Sequence, residues 1–155
     1  MGVTIHYSGQ LKNPARLEDV IVLAENLARE SNWAFSRIES VDAGHAAGFV
    51  AFPHRDCEPL RFEFGDDFRV RSWVKTQFAG LEVHVDVVSF LKQIRRLIGR
   101  LGVRDEGEYW ETGSKEKLRE HMDTINGVIR EMKEEKPSIR VAVREPDGRI
   151  IDVIG

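Results

Sequence analysis

The sequence predicts an α+β fold: an antiparallel sheet with helices packed on one of its faces. Three observations lead there. A stretch of period two opens the chain. Two strongly amphipathic helical stretches follow, one from Pro14 to about Ser31 and one over about 82–101. Between them lie four strand-like segments in succession, with no helix to carry a parallel crossover. The length, 155 residues, is that of one ordinary domain, so 1–155 is read as a single unit.

Val3, Ile5 and Tyr7 alternate with Thr4, His6 and Ser8, as in a half-buried strand reaching Leu11. Asn13-Pro14 reads as an N-cap followed by proline at the first helical position. Leu17, Val20, Ile21, Ala24, Leu27 and Ala28 then form one apolar stripe, which ends near Ser31-Asn32. Trp33 to Val41 alternates loosely, and Ala46 to Phe52 is a short apolar run closed by Pro53. Leu60 to Phe64 and Phe68 to Lys75 flank Gly65-Asp66-Asp67, a hairpin signal. In the second of these strands Phe68, Val70, Ser72 and Val74 share one face, while Arg69, Arg71, Trp73 and Lys75 share the other. One face is expected to meet the core and the other to meet water or a partner.

The loop Thr76-Gln77-Phe78-Ala79-Gly80 leads into the second helix, lined by His84, Val87, Val88, Leu91, Ile94, Ile98 and Leu101. Lys92, Arg95, Arg96 and Arg100 lie mostly elsewhere, toward a C-terminal half whose dipole they complement, and Gly102 is read as the stop. After the acidic-aromatic segment Asp105 to Thr112, Ser114 caps a third helix carrying Leu118, Met122, Ile125, Ile129 and Met132. Gly127 weakens that helix by about 1 kcal/mol relative to alanine, and Pro137 ends it. Ser138 to Ile154 reads as two strands around Pro146-Asp147-Gly148. The first seven elements, β-α-β-β-β-β-α, match a TATA-binding-protein-like half in order. That likeness concerns element order alone and carries no function.

Composition narrows the function classes. Apolar residues make up 41% and charged residues 32%, a globular balance. No apolar run approaches the roughly 20 residues of a membrane span, and the first residues lack the basic start and apolar core of a secretion signal. Cys57 is the single cysteine, which fits a reducing cytoplasm and excludes an internal disulfide. With 23 basic and 26 acidic residues, the net charge of −3 argues against nucleic acid as the partner. Phosphate-loop, dinucleotide, HExxH and GxSxG motifs are all missing, so nothing in the sequence supports enzyme status.

Four groups of residues remain as candidates. His84 sits on the buried stripe in the first turn of its helix, where desolvation and the helix dipole both favour neutral imidazole. Its structural reading, which is preferred, is a core histidine bonded to a strand carbonyl or to a carboxylate. Its catalytic reading pairs it with Asp105 or Glu111 as an acid–base couple. In the acidic segment, Tyr109 and Trp110 are read as packed or ligand-binding rings among solvated acids, and no nucleophile or oxyanion device accompanies them. His54-Arg55-Asp56-Cys57-Glu58 holds three metal-capable residue types, but a zinc site needs about four ligands and would have to recruit His45 or His84. No metal or cofactor is therefore expected. Arg69, Arg71, Trp73 and Lys75 form a basic, aromatic strand face able to stack bases or hold anions. Their bland reading is an exposed strand, or one covered by the C-terminal hairpin.

Thr76-Gln77-Phe78-Ala79-Gly80 with His84, and Asp105-Glu106-Gly107-Glu108-Tyr109-Trp110-Glu111-Thr112, resemble a pattern in small bacterial proteins of uncharacterised function. Ile5-His6-Tyr7-Ser8-Gly9-Gln10-Leu11 and Cys57-Glu58-Pro59-Leu60 resemble the same set. The resemblance covers most of the chain up to the third helix and implies no activity. The leading expectation is a cytoplasmic, non-enzymatic module that binds a protein or small ligand, with Gln77, Tyr109, Trp110, Arg69, Arg71 and Trp73 as contact residues. Self-association is expected through the third helix or the last hairpin. The rival expectations are an enzyme built on His84 and a nucleic-acid binder built on the basic strand face.

Overall fold

The computed structural model describes residues 2–39 and 47–155. The expected Ser40, Val41 and Ala46 ends of two strands, and His45, lie outside the described residues. The element order is β1 (Thr4–Leu11), a short 3-10 turn (Pro14–Arg16), α1 (Leu17–Glu30), β2 (Ala34–Ile38), β3 (Gly48–Phe52), β4 (Leu60–Glu63) and β5 (Arg69–Lys75). There follow α2 (Leu81–Ile98), β6 (Gly99–Asp105), α3 (Tyr109–Thr112), α4 (Lys115–Glu135), β7 (Arg140–Arg144) and β8 (Ile150–Ile154). All strand pairs are antiparallel, as the α+β reading requires.

One three-stranded sheet runs β5-β1-β6 and a second runs β2-β3-β4. They meet at the β4–β5 hairpin, where Gly65 N–H donates to the Arg69 carbonyl at 2.9 Å. Tyr7 reaches under β5 to tie the two together. Its hydroxyl donates to the Arg61 carbonyl at 2.7 Å and accepts from the Arg61 N–H at 3.1 Å. The inward faces of both sheets and the stripes of α1 and α2 close one core. Ile5, Tyr7, Phe49, Phe62 and Val74 meet Val20, Ile21, Leu91 and Ile94 there. Tyr7, Phe62 and Phe49 stack in series with centroids 4.8 and 5.0 Å apart. A second, smaller cluster joins Val3 to Leu118 and Met122, so the first half of the α4 stripe is spent on packing.

One local reading is corrected. The second helix does not run to Leu101. It stops at Gly99, which takes φ 84°, a conformation open to glycine, and its N–H caps the Arg95 carbonyl. Residues 99–105 then form a strand the periodicity does not announce, paired along β1 from Ile5↔Asp105 to Leu11↔Gly99. The acidic segment is extended only as far as Asp105. Beyond Asp105 it turns through Glu108 at φ 59° into the single turn of α3.

The C-terminal hairpin seats on β5 through buried charge. The Glu58 carboxylate accepts from the N–H groups of Lys75 and Ile150, each at 2.8 Å, and Lys75 Nζ lies 2.8 Å from Asp152. Asp152 also accepts from the Gly2 N–H at 2.6 Å. Burial pushes the Asp152 carboxyl up, but the hydrogen bonds from Lys75 and Gly2 outweigh it and hold it below its ordinary value. Among the described residues no helix is long and apolar enough to cross a membrane.

Candidate functional site

Two arrangements compete for the description of a site, one sealed and one open. The sealed one centres on His84. Its position in the first turn of α2 points the ring inward, and the inward register of Asp105 at the end of β6 brings a carboxylate to meet it. Nε2 lies 2.8 Å from Asp105 Oδ2 and Nδ1 lies 2.6 Å from the Thr76 hydroxyl oxygen. An ionised Asp105 accepts from Nε2–H, which leaves Nδ1 to accept the Thr76 hydroxyl proton. Asp105 also accepts from Gly107 N–H at 2.7 Å and Trp110 N–H at 2.9 Å, so it organises the turn into α3 as well. Burial pushes Asp105 upward, yet the His84 hydrogen bond and these two backbone donors outweigh it and hold the carboxyl below its usual range.

This group is satisfied and closed. The His84 and Asp105 side chains are both 0% exposed, and Thr76 is buried beside them. Both ring nitrogens are engaged, which leaves Glu111, exposed on α3, no place in the pair. Tyr109 packs edge-on against the imidazole, and Trp110 lies beneath Lys92 and Arg95 of α2, 5.6 and 5.8 Å from its ring centre. Gln77 is a strut, not an exposed contact. It accepts from Val3 N–H at 3.1 Å and donates to the Met122 carbonyl at 3.0 Å and Asn126 Oδ1 at 2.9 Å, tying α4 to the residue that leads into β1.

The open arrangement is the outward face of β5-β1-β6, a shallow groove of about 940 Å³. Register stacks three cross-strand rows on it: Trp73–His6–Arg104, Arg71–Ser8–Gly102 and Arg69–Gln10–Arg100. Four arginines from the two outer strands thus border a middle column of His6, Ser8 and Gln10. Arg71, Arg100 and Arg104 are exposed, and among the described residues no carboxylate pairs with them. Arg69 lies 3.6 Å from Asp67, and His6 2.8 Å from Glu106 at the rim. Lys75, expected on this face, is drawn off it to Asp152. Trp73 is 45% exposed, and Arg149 of the C-terminal hairpin lies 4.0 Å from its ring centre.

Arg100 and Arg104 are the residues the sequence reading missed. A helix carried through Leu101 places Arg100 at a helix end, whereas the strand places both beside β1. The signal that finds them is Gly99, a second candidate stop three residues ahead of Gly102.

The metal-capable segment before β4 does not converge. His54 is exposed and its Nδ1 accepts from Asp56 N–H at 3.0 Å, while Glu58 is turned inward to the hairpin. Cys57 is buried, and desolvation first, then the Glu58 charge, pushes its thiol up to about 12. Among the described residues no three metal-capable side chains come together. The sequence matches no family model and no curated protein.

Proposed function

We propose that the protein is a binding module that holds an anionic ligand on the outward face of β5-β1-β6. The observation that carries this reading is the pair of arginine borders, Arg69 and Arg71 on one side and Arg100 and Arg104 on the other, around a low polar column. Arg71, Arg100 and Arg104, which pair with no carboxylate among the described residues, keep their guanidinium donors for phosphate or carboxylate oxygens. The His84 side chain is 0% exposed and both of its ring nitrogens are engaged, which supports its reading as a buried fastener between α2 and β6. The buried cysteine suits a reducing compartment, and we place the work of the module in the cytoplasm.

Calorimetric titration with inorganic tripolyphosphate tests the reading. The wild-type protein is expected to bind, with affinity falling as salt is raised. The double variant Arg71→Glu, Arg104→Glu is expected to bind at least about tenfold more weakly, since each lost charge-assisted contact is worth on the order of 1.5 kcal/mol or more. Absence of binding to the wild-type protein, or equal binding by the variant, contradicts it.

A further inference from the structure

Resting on the anion-binding reading, we infer that the ligand of the β5-β1-β6 face is single-stranded nucleic acid, with phosphates along the arginine borders and a base on Trp73. The whole-chain charge of −3 speaks against such a partner, but the field that matters is local, and β6 doubles the arginines on this face from two to four. Neighbouring strands lie about 4.8 Å apart, so the borders on β5 and β6 stand roughly 10 Å from each other. In the middle row Arg71 faces Ser8 on β1 and Gly102 on β6, neither of which has bulk. A trough of that width takes one extended backbone.

The indole decides between ligands. Trp73 closes the arginine series on β5 and stands beside His6 in the same row. Its ring is fixed by Arg149, whose own guanidinium donates to the Trp73 carbonyl at 2.5 Å and to Ser72 Oγ at 3.0 Å and lies 3.6 Å from buried Glu58. With Arg149 over one face the indole is still 45% exposed and offers a preset stacking surface, and stacking on an aromatic needs a base freed from a duplex. A polyphosphate or an acidic peptide uses the arginines and leaves the indole idle. A single strand uses both. Ser8 and the amide oxygen of Gln10, whose Nε2 donates to the Asp67 carbonyl at 3.0 Å, add hydrogen-bonding groups beneath the bases.

The test is a titration of the wild-type chain with four probes: a short oligouridine, oligothymidine of the same length, a duplex of that length, and tripolyphosphate. Tryptophan emission and anisotropy of labelled probe are read together. The inference expects tighter binding of the single strands than of duplex or tripolyphosphate, with quenching of tryptophan emission. It expects Trp73→Ala to remove the quenching and weaken single-strand binding about tenfold, with Trp73→Phe keeping most of the affinity. Arg71→Glu and Arg100→Glu should each lower the salt slope by roughly 0.7 or more. If tripolyphosphate and duplex bind as tightly as the single strands, or Trp73→Ala binds like wild type, this inference is overturned while the anion-binding reading stands. If none of the four probes binds, both fall.

Discussion

The Asp105 carboxylate stands 2.8 Å from Nε2 of His84, and neither side chain touches solvent. The pair joins the start of α2 to the end of β6, and through Gly107 and Trp110 it also sets the turn into α3. A group so enclosed acts on stability. Replacing Asp105 by Ala strands the imidazole N–H and two backbone N–H groups in the core, each costing about 1–3 kcal/mol if left unmade. Asp105→Ala is therefore expected to lose about 3 kcal/mol or more, and Asp105→Asn, which keeps an acceptor oxygen, clearly less. Urea unfolding of the two variants reads the difference, and equal stability of Asp105→Ala and wild type contradicts the role.

The same carboxylate makes stability depend on acid. Asp105 and Asp152 are both held below their ordinary value of 3.8 in the folded state. Their contribution is complete above 3.8 and is lost as pH falls from there through the lower folded-state values, because the unfolded chain takes up protons first. Unfolding free energy is expected to be level toward neutral pH from this source and to drop steeply below about 4. The drop should be shallower in Asp152→Asn. A variant with the wild-type slope removes Asp152 from the explanation.

Glu58 holds the C-terminal hairpin by accepting from backbone groups on both sides of the junction, Lys75 N–H and Ile150 N–H. In Glu58→Ala those donors are left without their acceptor and Arg149 loses its nearest charge, at 3.6 Å. Hydrogen exchange is expected to speed up by tenfold or more across Ile150–Ile154, in line with a loss of about 1.4 kcal/mol or more of local stability. Exchange in α1 should change far less. Uniform acceleration through the whole chain contradicts a local fastening.

Gly9 allows β6 to lie against β1. A Cβ placed there comes 2.1 Å from the Arg100 carbonyl oxygen, closer than atoms can pack. Gly9→Ala must push the strands apart at that point, at a cost on the order of 1–3 kcal/mol. It should also displace Arg100 and weaken anion binding. Amide shifts over Gly99–Asp105 measured on the variant check this, and an undisturbed β6 would contradict the register.

How much of this was legible in the sequence follows from the range of each signal. The stripes of α1 and α2 are local and periodic, and Val20, Ile21, Val87, Leu91 and Ile94 are buried as expected. The alternation in Arg69–Lys75 was equally plain, and its two faces separate as predicted up to Trp73. The start of β6 was hidden because Leu101 continues the apolar spacing of Ile94 and Ile98. Spacing alone cannot choose between Gly99 and Gly102, and the choice is made by pairing with β1, ninety residues away in the chain. That one boundary carried Arg100 off the face. Lys75 and Gln77 were misplaced for a related reason, since Asp152 and α4 claim them through contacts that no local pattern encodes.

Ligand is expected to meet the β5-β1-β6 face and to leave the His84 group untouched. Amide and arginine side-chain NMR shifts followed during titration with tripolyphosphate test it most directly. Shifts are expected to concentrate at Arg69, Arg71, Ser8, Gln10, Arg100 and Arg104, with Thr76, His84 and Asp105 unmoved. Shifts centred on His84, or a spectrum unchanged at saturating anion, would contradict it.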